Sequence, residues 1–245
     1  MKKDLILMSK QLNDLFDYGY MIYQDSDYFK FSLDSVLLAE FMQLHKGDKN
    51  ILDMCTGNAA VAMIIQKKYG DKVNITAVEL QDEIYELAKE SIEYNKINNI
   101  ELIKDDVKNF CVLNKKEYDI VVCNPPYFKV DNKELINDNN VKAIARHEIK
   151  LDLEDTIKCA SKCIKNKGYF YMVHRPERIA DIINILNKYN FGVKTIQTVY
   201  DKPNAKCSLV LIESIYNGEN YVKMNEPIYL GDKKSYKGIF KGDVI

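Results

Sequence analysis

Six cysteines in 245 residues are too few for a disulfide scaffold, and no two of them stand in a Cys-x-x-Cys spacing. Cys159 and Cys163 come nearest, one helical turn apart, and none of the three histidines, His45, His147 and His174, lies beside them in sequence. Two thiolates do not fill a tetrahedral zinc shell, so core packing is their expected role and no metal is expected. Charge of one sign is lacking as well: 35 Lys and Arg against 36 Asp and Glu leave a net charge of -1, so a nucleic-acid partner has to be held by a local patch. No apolar run approaches the roughly 18 uncharged residues of a membrane span, and the opening Met1 to Met8 meets polar residues too early for a signal peptide. A cytoplasmic protein with no membrane partner is expected. Pro-, Gly- or Ser-rich linkers, internal repeats and low-complexity segments are also absent. With 47% hydrophobic and 29% charged residues the chain has a globular composition, and one core is the expectation.

Short apolar runs rich in branched residues alternate with stretches of helical period. That alternation marks an α/β fold, a mostly parallel sheet covered by helices on both faces. The expected strands are Asn50 to Met54, Asn74 to Glu79, Ile100 to Lys104, Tyr118 to Cys123 and Tyr169 to His174; Val193 to Tyr200 and Ser208 to Ile215 follow as an antiparallel hairpin, making seven. The expected helices are Ala60 to Tyr69, Asp82 to Lys96 with Asp82 as cap, Leu153 to Lys165, and one from Pro176 to about Tyr189. Residues 1–48 read as an N-terminal extension of the same domain, 49–217 as the core and 218–245 as a polar tail, with a monomer favoured. Within the extension the expectation is a helix around Ser9 to Phe16, a hairpin from Tyr20 to Phe31 turning at Gln24 to Asp27, and a helix capped by Asp34. The polar loop Phe128 to Ile149 is longer than ordinary connections and so is functional or mobile.

Chemistry is concentrated at strand ends. Ile51 to Ala59 runs from strand through turn to helix, which leaves backbone N–H groups at the C-terminal edge of a parallel sheet, where such sheets bind ligands. It lacks the Gly-x-Gly-x-x-Gly fingerprint, so a nicotinamide or flavin is disfavoured. Glu79 ends the second strand about 20 residues on, where nucleoside-binding sheets keep an acid for ribose hydroxyls. Asp105 and Asp106 end the third, able to accept a hydrogen bond from an adenine amino group. Asn124-Pro125-Pro126-Tyr127 ends the fourth. The two prolines stiffen the backbone and hold Asn124 extended. Two acceptors, the Asn124 side chain and the Pro125 carbonyl, can then orient a planar NH2 group and favour pyramidal character at its nitrogen, while Tyr127 offers a face for a flipped-out base.

These motifs resemble S-adenosylmethionine-dependent methyltransferases of the Asn-Pro-Pro-Tyr type. Within them the chain is most similar to the tRNA1(Val) adenine N6-methyltransferase family, which acts on an anticodon-loop adenine. The resemblance runs from about Leu15 to about Ile215 and rests on Phe31 to Ala39, the Asp53 loop, Val78 to Gln81, Asp105 to Val107, Asn124 to Phe128, Ala145 to Glu148 and Val173 to Pro176. It implies a Rossmann-like class I methyltransferase fold with S-adenosyl-L-methionine as cofactor and tRNA as partner. It implies further that Asp53, Cys55, Thr56 and Gly57 hold the methionine part, Glu79 the ribose and Asp106 the adenine, and that Asn124, Pro125, Pro126 and Tyr127 hold the target amine beside the cofactor. For RNA, Arg146 and His147 lie near the end of the long loop after the Asn-Pro-Pro-Tyr motif and Arg175 follows a strand end on the same edge; arginine meets phosphate in bidentate fashion. Tyr18, Tyr20 and Tyr23 are expected to pack rather than to stack on bases.

The family usually has glycine at Ala59, and the wider methyltransferase pattern has glycine at Cys55. The Ala59 methyl either crowds a close backbone approach to the cofactor or simply begins the helix; in the first case replacing it with glycine is expected to tighten cofactor binding while costing helix stability. Three alternatives accompany this reading. One is methylation of rRNA or DNA. Another is glutamine N5-methylation of a protein, whose enzymes normally carry a larger helical N-terminal domain than the residues before Asn50 supply. The third, motivated by Ala59, is a binding module without catalysis.

Overall fold

The computed structural model describes residues 10–16, 18–25, 33–125 and 151–231. At its centre, β3 (Asn50–Met54) pairs in parallel with β4 (Asn74–Glu79) on one side and β6 (Tyr118–Cys123) on the other; β5 (Ile100–Lys104) extends the sheet beyond β4 and β7 (Ile164–His174) beyond β6. Then β9 (Cys207–Tyr216) runs antiparallel between β7 and β8 (Phe191–Tyr200). These are the seven strands read from the sequence, with the hairpin in place. Their apolar runs are nearly continuous because both faces are covered. Alternate residues feed two separate cores. Ile51, Ile75, Ile120 and Val122 pack under α1 (Leu33–Phe41), α2 (Ala60–Tyr69) and α3 (Asp82–Tyr94). Leu52, Met54, Val78 and Val121 pack under α4 (Val107–Leu113), α5 (Leu153–Cys163) and α6 (Ile179–Lys188).

The sheet has nine strands among the described residues rather than seven. The tail adds β10 (Lys223–Met224) and β11 (Ile228–Tyr229), both parallel to β8. An edge strand presents unpaired N–H and C=O groups, and the tail satisfies part of that edge. Strand β7 starts at Ile164, directly out of α5 and five residues before the expected Tyr169, and its register against β6 shifts between Tyr118 and Ile120. Gly168 is needed there: a Cβ at this position would lie 2.8 Å from the Asp119 carbonyl oxygen. Helix α4 has no counterpart among the expected helices. Asp82 is the first residue of α3, with Gln81 in the cap position and no side chain bonding there, and Asp34 lies inside the first turn of α1. Both acids still favour the positive end of a helix dipole. Pro176 opens a 3-10 turn, Pro176–Arg178, that leads into α6.

The N-terminal extension departs most. Lys10–Asp14 is a strand, β1, and not part of a helix; it pairs antiparallel with β2 (Met21–Asp25), with the Leu15 N–H bonded to the Tyr20 carbonyl between them, so Gln24 and Asp25 of the expected turn belong to a strand, while Ser26 to Phe31 lie outside the described residues. Long-range anchors decide this. The Asn95 side chain bonds both the N–H and the carbonyl of Met21, at 2.9 and 2.6 Å, and Ser91 Oγ accepts the Tyr23 N–H at 2.9 Å. Segment 128–149, the first residues of the chain and the end of the tail lie outside the described residues.

Lys68, in the last turn of α2, holds α1 in place. Its Nζ donates to the carbonyls of Glu40 at 2.8 Å and Met42 at 3.1 Å and faces the Glu40 carboxylate at 3.5 Å. Burial lowers its pKa while Glu40 pulls the other way. Lys68→Ala removes the cation facing a carboxylate that is almost wholly buried and leaves it the Tyr18 hydroxyl as donor, and should lower stability by about 3 kcal/mol in urea titration. A loss below about 1 kcal/mol would mean that water replaces the amine.

Candidate active site

The connection from β3 to α2 is a five-residue turn in which every second residue is left-handed: Cys55 at φ +58°, Gly57 at +61° and Ala59 at +67°. Glycine meets this demand without strain, which accounts for the pattern from which Cys55 and Ala59 depart. Ala59 is not a helix-interior residue. It occupies the cap position of α2, so the expected helix penalty for glycine does not apply, and its methyl is fully buried in the core that contains Ala60 and Ala62. The turn is held from inside and from its neighbour strand. Thr56 donates its hydroxyl to Asp53 Oδ2 at 2.6 Å and its N–H to the Val78 carbonyl at 2.9 Å. Asp53 is 1% exposed, and burial pushes its carboxyl up to about 7 against the pull of Thr56 and the Ala62 N–H.

Glu79, 2% exposed, accepts N–H bonds at 2.9 Å from Gly57 on Oε2 and from Leu80 and Gln81 on Oε1. Burial raises its pKa against these three bonds. Asp105 accepts the Asp106 N–H at 2.7 Å, and Asp106 caps α4 through the Lys108 N–H at 2.9 Å. Together these strand ends form a cleft of about 320 Å³, counted with its open mouth and lined by Cys55, Val78, Glu79, Leu80, Asp105, Asp106, Val107 and Leu151. The cleft lies on the C-terminal edge of the sheet beside β3, where strand order reverses.

Asn124 and the buried Pro125 leave β6 on the same edge, with Cys123 paired in register with Met54. The Cys55 thiol, hydrogen-bonded to that of Cys123, is pushed well above its usual range, which disfavours it as a nucleophile. Asn124 Nδ2 donates to Ser35 Oγ at 3.0 Å. On the next strand end, Arg175 is exposed and donates to the Ser208 carbonyl at 3.1 Å. His174 beside it is 4% exposed and held neutral, its pKa lowered to about 4 chiefly by burial. Thus Asp53, Cys55, Thr56, Gly57, Glu79, Asp106, Asn124 and Pro125 converge on one edge. Pro126, Tyr127, Arg146 and His147 lie outside the described residues. The tyrosines pack: Tyr20 bonds Gln66 at 2.6 Å, Tyr18 bonds Glu40, and Tyr23 meets Tyr94 edge to face.

Two residues escaped the sequence reading. Ser35 carried no signal of its own within an apolar helix. Gln24 is 7% exposed, and its Oε1 has no hydrogen-bond partner among the described residues. The carbonyl of its neighbour Tyr23 accepts from Asn58 Nδ2 at 3.4 Å, which brings β2 against the turn.

The fold, with β9 antiparallel in an otherwise parallel sheet, is the class I methyltransferase fold, as in a predicted O-methyltransferase from Agrobacterium tumefaciens (TM-score 0.62, 22% identity, 82% of this chain and 88% of that one). The family model described as Methyltransferase small domain matches residues 30–196, and the chain belongs to that family. Among relatives, it is 28% identical over 206 residues to the tRNA1(Val) (adenine(37)-N6)-methyltransferase of Bacteroides thetaiotaomicron, over 83% of this chain and 84% of the relative. The fold also matches M. jannaschii TYW2, solved in complex with AdoMet (TM-score 0.56, 14% identity, 84% and 85% covered).

At Ala59, relief of left-handed strain, worth about 1–2 kcal/mol, opposes the looser unfolded chain and the lost buried methyl, which together cost about as much. Ala59→Gly should therefore stay within about 1 kcal/mol of the parent, and Ala59→Val should cost more than about 2 kcal/mol by chemical denaturation. A valine variant as stable as the parent would show that the turn relaxes away from this φ.

The raised Asp53 has a pH signature. Its usual value is 3.8 and its folded value about 7, so the fold binds the proton that the unfolded chain releases. Its contribution to stability is complete below about pH 4 and is lost as pH rises to about 7. Carboxyl-resolved NMR should show Asp53 titrating near neutrality, and a midpoint near 4 would mean that water reaches the group.

Proposed function

We propose that this methyltransferase transfers the methyl group of S-adenosyl-L-methionine to the N6 amine of an adenine in tRNA, in the anticodon loop of a valine tRNA, and that it acts in the cytoplasm. The observation that carries the reading is the convergence of Glu79, Asp105 and Asp106 on one cleft at the strand-order reversal, with Asn124 and Pro125 on the adjoining strand end.

The site's chemistry fits the cofactor. The buried Glu79 carboxylate and the half-buried Asp106 accept hydrogen bonds, and a ribose and an exocyclic amine provide donors. Glu79 would hold the ribose and Asp106 the adenine, while the turn from Asp53 to Gly57 would hold the amino-acid end. Asp53 would act there as an inner strut, since its carboxyl already bonds Thr56. The unpartnered Gln24 Oε1 asks for a donor beside that turn, and an α-ammonium group is one. When bound, the cofactor supplies an electrophilic methyl group on a sulfonium that is itself a good leaving group. The chain's own work is then positioning and acceptor hydrogen bonding. Asn124 Oδ1 and the Pro125 carbonyl accept the two N–H groups of the target amine, and Tyr127 stacks on the base. Arg175, with Arg146 and His147, meets phosphate, which gives RNA binding without net positive charge. The likeness to the B. thetaiotaomicron enzyme supports tRNA adenine as acceptor.

The test is product analysis with labelled cofactor and three acceptors: an unmodified valine tRNA transcript, rRNA and protein extract. N6-methyladenosine in the tRNA is expected, and N5-methylglutamine as the sole product would transfer the same geometry to a protein substrate. Asn124→Ala should cut turnover by about a hundredfold with cofactor affinity little changed. Gln24→Ala should weaken S-adenosylmethionine binding about tenfold and leave methylthioadenosine, which lacks the amino-acid end, unaffected. Equal losses for both ligands would remove Gln24 from that end of the site.

A further inference from the structure

An asparagine amide has an acceptor end and a donor end of nearly equal size, and a half-turn about its last torsion exchanges them. The proposed function, on which this inference rests, needs the acceptor end toward the amine. The reversed amide would set one NH2 group against another.

In the structure the amide is held by its donor end. Asn124 Nδ2 donates to Ser35 Oγ at 3.0 Å across 89 positions of sequence. Ser35 is 5% exposed, so water scarcely competes for the bond. It stands in the first turn of α1, and that helix cannot easily drift. Val36, Leu37, Leu38 and Ala39 have no exposed surface, and Lys68 and the Tyr69 hydroxyl bond carbonyls at the other end. The anchor therefore sits on a packed helix rather than on a loop.

We propose that Ser35 is a positioning residue: its hydroxyl holds the plane of the Asn124 amide against α1, with Nδ2 on Oγ and Oδ1 turned toward the substrate amine. It touches neither substrate nor cofactor. Through it α1, outside the strands that carry the acids, takes part in setting the reactive geometry.

The experiment compares Ser35→Ala in two backgrounds, the parent and Asn124→Asp. A carboxylate has acceptors at both ends and needs no aiming. In the parent, Ser35→Ala should lower kcat on valine tRNA about tenfold, with cofactor Kd and tRNA KM within about twofold. In the Asn124→Asp background the same change should cost about twofold or less. Ser35→Thr, which keeps the hydroxyl, should recover most of the parental kcat. Independently of activity, the Asn124 side-chain amide protons should be protected and shifted in the parent NMR spectrum and lose both features in Ser35→Ala. Equal loss in the two backgrounds, or amide signals unmoved by Ser35→Ala, would overturn the proposal and leave the functional reading standing. A parent enzyme that methylates no tRNA would overturn the functional reading and the positioning role with it, even with the hydrogen bond intact.

Discussion

The Glu79 carboxylate binds three backbone N–H groups, one across the turn after β3 and two just beyond its own strand, and this tie gives the ligand edge its shape. A parallel sheet alone would let those two loops separate, because neither is part of the ladder. With Glu79 between them, Gly57 is drawn over β4, Thr56 can reach the Val78 carbonyl, and the left-handed turn is held against its own strain. The same carboxylate lines the cleft. Fold and site thus depend on one group. Its removal would leave three half-buried backbone N–H groups without this partner as well as an altered cleft.

Burial of acids is what the fold gives up in return. Asp53 and Glu79 both have pKa values raised by desolvation, and the Glu79 charge adds to the rise at Asp53. Glu79 accepts three backbone N–H bonds and still lines the cleft, so a ligand rich in hydrogen-bond donors would lower the cost of its charge further. Electrostatic discomfort and ligand preference are two descriptions of the same arrangement.

The sheet was legible because strands covered on both faces are written as unbroken apolar runs, and the acids were legible because they interrupt those runs where the sheet meets solvent. Lys10–Asp14 was not, since its alternation is blurred and its partners Ser91 and Asn95 act from far along the chain. Ala59 was legible as a departure but not as a mechanism: the sequence shows a methyl where glycine is usual, and only the backbone angle shows that the demand concerns φ and a helix cap. Asp106 likewise reads as a ligand acid but also caps α4, a helix too short to announce itself by period. The contact of Ser35 with Asn124 depends on tertiary packing that no local pattern encodes.

Strand order also fixes an order of assembly. β3, β4 and β5 are consecutive in the chain and adjacent in the sheet, so their contacts are local and close early. β6 must reach back past both to pair with β3, and β7, β9 and β8 build outward from it. During synthesis, which releases the N-terminal part first, the three acid-bearing strand ends can therefore assemble before residue 124 has left the ribosome. α1 has by then been made, but the amide that Ser35 holds arrives only with β6.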